Sequence, residues 1–166
     1  MVRGAAAFRA MPDEAWQNAV GGLAAMGNAV RRAIAGSSGP FYATVLLRAA
    51  RELGSSPETP EIWARAFAET VASVSAFGGA KRGDRTMLDA LEPASEAFAA
   101  ALRAGTTPAV AWAGAIAAAE AGTAATATMH PRVGRAAYLG ERAMGAPDAG
   151  AAAVLVWMRA IAAAIG

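Results

Sequence analysis

Alanine is the feature that most restricts what this chain can fold into, because 50 of its 166 residues are alanine. Alanine has the highest intrinsic helix propensity and is depleted in β-strands. Hydrophobic residues make up 55% of the chain and charged residues 17%, which is too apolar for a disordered polypeptide. The composition therefore predicts an all-α protein, and the length predicts a single helical domain over residues 1–166.

The charged and metal-binding residues exclude several classes of function. The formal net charge is only +2, and Arg31-Arg32 and Lys81-Arg82 are the only adjacent basic pairs, so a clustered basic face is missing. The chain has no cysteine and one histidine. A disulfide framework, a cysteine zinc site, a thiol nucleophile and a site with several histidines are therefore excluded, and no nucleic-acid partner is expected.

No segment reads as a signal peptide or a membrane span. Residues 5–7 are too short for the hydrophobic region of a signal peptide. A long uncharged run over 104–119 contains Gly105, Pro108 and Gly114 and falls short of the ~20 residues of a spanning helix. We expect a cytoplasmic protein with no membrane partner.

Glycine, proline, serine and aspartate punctuate the chain and mark the ends of helices. Thr59-Pro60 predicts an N-cap followed by the first helical residue, and Asp148 predicts the last N-cap. Pro12-Asp13 predicts the start of a helix over 14–35, and Pro93 falls inside a further helical pattern that Thr86 opens. About seven helices with short connections result, which is typical of an antiparallel bundle.

Glycine and polar residues concentrate at alternate helix junctions, over 36–39, 78–85, 128–135 and 148–150. Alternate junctions of an up-down bundle share one end. A Gly/Ser loop that opens a helix offers free backbone N–H groups and the positive end of the helix dipole, which suit a phosphate. Arg85 and Arg135 could add bidentate contacts. This end is predicted to bind a nucleotide or another phosphorylated ligand.

Each of these features also has a plain structural interpretation. Gly-Ser-Ser-Gly-Pro is a common linker composition, and Gly78-Gly79 is typical of a helix C-cap. Asp84-Arg85 is expected in a solvated loop, Tyr138 is expected to pack, and the single histidine is expected to be structural. The sequence contains no Walker A loop, no Gly-x-Ser-x-Gly elbow and no helix with paired carboxylates.

Four segments in order carry a resemblance to a known family: Ala-Gly-Ser-Ser-Gly-Pro-Phe-Tyr over 35–42, Gly-Gly-Ala and Gly-Asp-Arg-Thr-Met-Leu-Asp-Ala-Leu within 78–91, Gly-Arg-Ala-Ala-Tyr-Leu-Gly-Glu-Arg over 134–142, and Asp-Ala-Gly-Ala over 148–151. In this order and spacing they resemble the L subunit of dihydroxyacetone kinase, the nucleotide-binding part of that enzyme. The resemblance covers nearly the whole chain.

The resemblance implies a barrel of eight amphipathic antiparallel helices, with a nucleotide held by loops at one end. It also implies a kinase reaction. Dihydroxyacetone, or a similar small ketose or polyol, would lie on a separate K subunit or domain. The L part would hold ATP with Mg²⁺, or ADP that a phosphotransferase-system protein rephosphorylates, and the phosphoryl group would pass to the substrate hydroxyl.

The resemblance also implies the residues of the nucleotide site. Those expected at the phosphates, at the adenine and at the closing loop are, in turn, Gly36, Ser37, Ser38 and Arg135; Gly78 and Met87; and Asp148, Ala149 and Gly150. Methionine offers a soft apolar surface to a flat base. Ala149 stands where the family usually has the proline of Asp-Pro-Gly, which is a mild departure.

A larger departure concerns the metal. The family carries an Asp-rich loop, Gly-Asp-Gly-Asp-His-Gly, after its first helix, and those carboxylates hold two Mg²⁺ ions. The only early acids here are Asp13 and Glu14, in a different setting. We therefore expect the chain alone to lack the first helix and the Mg²⁺ ligands, to be catalytically incomplete, and to expose an apolar groove that invites a homodimer. The alternative is a non-catalytic helical interaction module that kept the fold and lost the metal site.

Overall fold

A computed structural model describes residues 2–34, 38–54 and 59–165. These residues form eight α-helices and no β-strand, which confirms the all-α class. The helices are α1 (Val2–Arg9), α2 (Ala19–Ala33), α3 (Ser38–Leu53), α4 (Pro60–Gly78), α5 (Leu88–Arg103), α6 (Pro108–Ala125), α7 (Gly134–Ala137) and α8 (Ala149–Ile165). Short 3-10 turns cover Asp13–Trp16, Thr126–Thr128 and Gly140–Ala143. The helix beyond the seven expected is α7, which has only four residues.

The chain divides into two compact units, Met1–Phe77 and Gly78–Gly166. The first contains α1 to α3 and all of α4 but its last residue, and the second contains α5 to α8. That residues 1–166 form a single domain remains a prediction. Among the described residues, no helix combines the length and the hydrophobicity that crossing a membrane requires.

Close approach of α2 and α3 organises the first unit. Gly27 is buried on α2, and a Cβ at this position would lie 2.8 Å from Cγ of Leu47 and 3.3 Å from the carbonyl oxygen of Ala43 on α3. Only a hydrogen fits in that space, so the glycine lets the two helix backbones approach. Phe41 on α3 meets Phe77 on α4 edge to face, with ring centroids 5.0 Å apart.

The start of α2 differs from the prediction. Pro12-Asp13 opens only a four-residue 3-10 turn, and α2 begins at Ala19. Asn18 is the N-cap: its backbone is extended, and its side-chain oxygen accepts the N–H of Gly21 at 2.7 Å. The helix predicted over 14–35 is therefore wrong at its start, because the Asn18 cap satisfies a free N–H where the chain enters α2.

The other predicted N-caps are confirmed. Thr59 Oγ1 accepts the N–H of Ile62 at 3.4 Å at the start of α4. The backbone N–H of Glu61 and, to a lesser extent, the Thr59 hydroxyl hold the pKa of Glu61 below its usual range. Proline fills the first position of α4 at residue 60 and of α6 at residue 108. These signatures are local, so the sequence alone specifies where both helices begin.

The second unit is built on contact between α5 and α6. Pro93 lies inside α5 as predicted and has no N–H to donate to the carbonyl of Asp89, one turn earlier. Gly122 on α6 packs at that carbonyl: a Cβ at residue 122 would overlap the Asp89 oxygen and lie 3.2 Å from Cγ of Pro93. Earlier in α6, Ala111, Ala115 and Ala119 are fully buried at intervals of about one turn.

Helix α8 completes the core of this unit. Trp112 on α6 packs edge to face on Phe98 of α5, with ring centroids 5.5 Å apart. The indole N–H of Trp112 donates to the carbonyl of Met158 on α8 at 3.2 Å. Because the indole N–H has a partner, the ring can lie in a largely apolar setting without a desolvation penalty.

We expect Gly122→Ala to lower the free energy of unfolding by about 1–3 kcal/mol, because the added methyl overlaps the α5 backbone. Gly114→Ala is the matched control, since nothing lies within 4 Å of a Cβ there and both glycines stand on α6. The control is expected to gain up to ~1 kcal/mol from helix propensity. Urea unfolding measures both, and equal effects of the two substitutions would contradict the close approach.

Candidate functional site

Charged residues in the loop over 79–87, between α4 and α5, are buried. Asp84 and Arg85 are 4% and 5% exposed. The expectation of a solvated Asp84-Arg85 pair is therefore wrong. The cause lies in the backbone of the loop: Asp84 Oδ2 accepts the N–H of Lys81 at 2.9 Å, so the carboxylate replaces water as the partner of that amide.

Asp89, in the first turn of α5, binds the same loop. It is 2% exposed, and its two carboxylate oxygens accept the N–H of Gly83 at 2.6 Å and of Thr86 at 2.8 Å. Thr86 Oγ1 in turn accepts the N–H of Leu88 at 3.2 Å. Together these bonds fix the turn that places Met87 at the N-cap of α5.

Arg85 is directed into the second unit rather than toward solvent. Its Nε donates to the carbonyl of Thr126 at 3.1 Å, and its Nη2 donates to the carbonyls of Ala143 and Ala146, the latter at 2.9 Å. Its Nη1 lies 3.9 Å from Asp148 Oδ2. The expectation that Arg85 contacts a phosphate is contradicted, because this buried guanidinium is already bonded to the protein.

Asp148 is the N-cap of α8, as predicted. Its Oδ1 accepts the N–H of Ala151 at 3.0 Å, and its own N–H donates to Thr126 Oγ1 at 2.7 Å. The Thr126 hydroxyl then donates to the carbonyl of Thr123 at 2.6 Å. Thr126 is fully buried, and no prediction from the sequence includes it; the one signal for it is a hydroxyl in an alanine-rich stretch.

Four of the residues assigned to the nucleotide site come together at the start of α8. A Cβ at Gly150 would lie 3.5 Å from both the Cβ and the backbone nitrogen of Met87, so these residues adjoin. Asp148, Ala149 and Gly150 form the first residues at that helix end. No hydrogen bond in the described part of the chain uses the N–H of Ala149 or Gly150, which leaves two donors at a positive helix end.

The other residues predicted for the nucleotide site are Gly78, Arg135, Gly36, Ser37 and Ser38. Gly78 is the last residue of α4, and Gly79 follows with φ +62°, so this pair forms a left-handed C-cap. Arg135 is exposed on α7. Gly36 and Ser37 fall outside the described residues, and Ser38 is the first residue of α3. The assignment of all these residues to a nucleotide stays a prediction.

Tyr138 does not pack, contrary to expectation. Its side chain is 92% exposed, because the four residues of α7 are too few to bury one face. Its neighbour Leu139 is also exposed. The single histidine, His130, is exposed as well, with Nε2 3.7 Å from Glu141 Oε1.

The carboxylates of this region do not fit a metal site. Where the structure describes the chain, it holds no group of three or more His, Cys, Asp or Glu residues that could bind an ion. Asp84, Asp89 and Asp148 each bond backbone N–H groups instead. The Mg²⁺ that the resemblance implies is therefore not matched by a ligand set among these residues.

Comparison with known proteins gives the family. Residues 1–163 match the family model described as the DAK2 domain, and the chain belongs to this family. It is 39% identical over 145 residues to a putative 3,4-dihydroxy-2-butanone kinase from Solanum lycopersicum, covering 84% of this chain and 24% of the relative. It is 33% identical over 169 residues to the D-erythrulose kinase of Mycolicibacterium smegmatis, covering 98% and 29%.

A shorter relative matches the predicted L subunit. The ADP-binding subunit DhaL of the PEP-dependent dihydroxyacetone kinase of Escherichia coli is 35% identical over 130 residues, covering 78% of this chain and 62% of the relative. The chain therefore spans about a quarter of the longer relatives and under two thirds of this one. The predicted resemblance to the L type of domain is confirmed.

Solved structures confirm the fold. The chain superposes on the dihydroxyacetone kinase of C. freundii in its native form with a TM-score of 0.66 and 25% identity, covering 89% of this chain and 24% of the other. The complex of that kinase with AMP-PNP and Mg²⁺ gives a TM-score of 0.64 and 26% identity, with 89% and 23% covered.

We expect Asp89→Asn to lower the free energy of unfolding by about 1–3 kcal/mol, because the amide offers one acceptor where two backbone N–H groups need one each. Asp13→Asn is the control, since Asp13 is exposed at the first residue of a 3-10 turn. Urea unfolding at neutral pH measures both. A loss no larger than that of the control would show that the carboxylate does not hold the loop.

Proposed function

We propose that this chain is the nucleotide-binding domain of a dihydroxyacetone kinase. In this proposal it holds ATP or ADP at the N-terminus of α8, and the phosphoryl group passes to dihydroxyacetone or a similar small ketose or polyol on a partner K subunit or domain. The observation that carries the proposal is that Met87 adjoins Gly150 at a helix start where the N–H groups of Ala149 and Gly150 are free.

The start of α8 suits a phosphate. The N–H groups of Ala149 and Gly150 point out of a 17-residue helix whose dipole favours an anion at this end. Asp148 would repel an anion if its charge were free. Its Oδ1 accepts the N–H of Ala151 and its Oδ2 faces Arg85, so the negative charge is offset within the protein.

The side chain of Met87 suits a flat base. Gly150 has no side chain, and a Cβ there would lie 2.9 Å from Asp148 Oδ1 as well as against Met87. A side chain at residue 150 would therefore crowd Asp148 and Met87, and glycine allows the start of α8 to adjoin the methionine. A polarizable thioether is a good apolar surface for a ring system. The resemblance assigns Gly78 to the base as well, and it assigns Gly36, Ser37 and Ser38 to the phosphates.

The names of the relatives support a nucleotide and a small ketose. The Escherichia coli relative is an ADP-binding subunit, and the C. freundii kinase was solved with AMP-PNP and Mg²⁺. The longer relatives are kinases of 3,4-dihydroxy-2-butanone and D-erythrulose. The Escherichia coli relative is one subunit of a PEP-dependent kinase. That it is a subunit supports a K-type partner, and the PEP dependence makes a phosphotransferase-system protein a candidate phosphoryl donor alongside ATP.

In this proposal Arg135 is the residue that neutralises negative charge on the phosphate oxygens. Phosphoryl transfer depends mainly on positioning and on neutralising charge on the phosphoryl oxygens. The exposed guanidinium of Arg135 offers two parallel donors for such oxygens. When Mg²⁺ is bound it would supply further charge neutralisation, but the described residues provide no carboxylate cluster for it, so no step is derived through the ion.

A second candidate function is the non-catalytic interaction module. Tyr138 and Leu139 favour it, because two adjacent exposed apolar side chains in one short turn are typical of a surface that contacts another protein. Such a module would not require a nucleotide. The two candidates therefore differ in whether the chain takes up ADP.

We expect Arg135→Ala to weaken the binding of ADP with Mg²⁺ at least about tenfold, measured by calorimetric titration of the chain, because a charged hydrogen bond to phosphate is lost. Arg159→Ala is the matched control. Arg159 is an exposed arginine on α8 that pairs with Glu120 at 2.9 Å, and its loss should leave ADP affinity unchanged.

Two outcomes would contradict the proposal. If the wild-type chain takes up no ADP, the nucleotide site fails and the interaction module is favoured. If Arg135→Ala and Arg159→Ala weaken binding equally, Arg135 is not in contact with the phosphates.

A further inference from the structure

Arg85 has a backbone conformation that its side chain disfavours. Its φ is +62°, and among the described residues no other non-glycine has a positive φ. Glycine adopts this left-handed conformation freely, whereas a residue with a Cβ is strained there. A strained residue persists only where its surroundings hold it in place, and such residues concentrate at functional sites.

The guanidinium of Arg85 connects the two ends of one long loop. Residues 127–147, which we name the α7 loop, leave α6 and return to α8. Thr126 lies just before this loop, and Ala143 and Ala146 lie at its end; Arg85 donates to the carbonyls of all three. The N–H of Gly145 also donates to the carbonyl of Ala127 at 2.8 Å, so both ends meet at the guanidinium.

The same closure involves three described parts of the proposed site. The α7 loop carries Arg135 on α7, and the residue that follows the loop is Asp148, the cap of α8. The N–H of Asp148 donates to Thr126 Oγ1, and its Oδ2 faces Arg85. Met87 follows Arg85 by two residues in the 79–87 loop. Displacement of Arg85 would therefore move the base surface, the helix end and the attachment of Arg135 together.

We propose that Arg85 is the positioning residue of the nucleotide site: it closes the base of the α7 loop and thereby sets where Arg135 and the start of α8 lie. It is buried and bonded to carbonyl oxygens, so it acts through these groups and not by touching the phosphates. This inference rests on the proposed function, and its test separates the two.

The test compares three substitutions at residue 85 with a control in the same loop. Arg85→Gln removes the charge, Arg85→Lys keeps the charge with one donor centre, and Arg85→Gly removes the side chain while relieving the left-handed strain. Arg82→Gln is the control, because Arg82 is exposed and pairs only at the surface with Glu96 at 3.2 Å. The glycine variant guards against loss of folding, which circular dichroism monitors.

Three quantities are measured in the full chain: hydrogen exchange of the Gly145 and Asp148 amides, affinity for ADP with Mg²⁺, and the melting temperature. We expect Arg85→Gln and Arg85→Gly to speed exchange at both amides and to weaken ADP binding by about tenfold at temperatures where the variants remain folded. Arg85→Lys should fall between them and the wild type. Added guanidinium ion should restore the affinity of Arg85→Gly, and Arg82→Gln should match the wild type.

Each contrary result has a distinct meaning. Unchanged exchange at Gly145 and Asp148 in Arg85→Gln would overturn the closure of the loop. Faster exchange with unchanged ADP affinity would overturn the positioning role. Weaker binding that follows only the loss of folded protein, without rescue by guanidinium ion, would reduce Arg85 to a purely structural residue. Failure of the wild-type chain to bind ADP would overturn the proposed function, and the nucleotide role of Arg85 with it.

Discussion

The buried guanidinium of Arg85 is the interaction on which the described site depends. Moving an arginine out of water is costly unless its donors find acceptors and its charge finds a partner. Three carbonyls and Asp148 supply both here, and they come from segments that share no regular hydrogen-bonded structure. The Arg85 side chain therefore links these segments by hydrogen bonds, as the backbone of a sheet or a longer helix would otherwise do. The 3-10 turns Thr126–Thr128 and Gly140–Ala143 each supply one of these carbonyls, and they depend on this polar network because they are too short to be stable alone.

Alanine explains why a polar network is needed at all. A buried alanine contributes little apolar area, so a core of Ala111, Ala115 and Ala119 gains stability mainly through close contact of helix backbones. At Gly122 the backbones of α6 and α5 are so close that no side chain fits between them. Such packing serves long straight helices well but offers nothing to a loop. The loops of the second unit are instead held by carboxylates and a guanidinium that bond to backbone groups.

Features with a local cause could be predicted from the sequence. The starts of α4, α6 and α8 follow from Thr59, Thr107 and Asp148, since a cap bonds an N–H three residues away. The start of α2 differs from the prediction because Asn18, and not Pro12-Asp13, caps that helix. The burial of Arg85 has a different cause: its carbonyl partners lie 41 to 61 residues further along the chain, and no local pattern marks an arginine that will be buried. The exposure of Tyr138 likewise depends on tertiary packing, because only the structure shows that α7 ends after one turn.

Offset of the Asp148 charge links the fold to the proposed chemistry. An aspartate is a favourable N-cap, yet a free carboxylate beside the same N–H groups would oppose the approach of a phosphate. Arg85 resolves this conflict, because its Nη1 faces the carboxylate oxygen that does not cap the helix. The helix end can then keep both its cap and its positive character. The same pairing would make anion binding at α8 sensitive to any change in the 79–87 loop, so in this proposal the segment that places Met87 beside the base also sets the electrostatic potential at the phosphates.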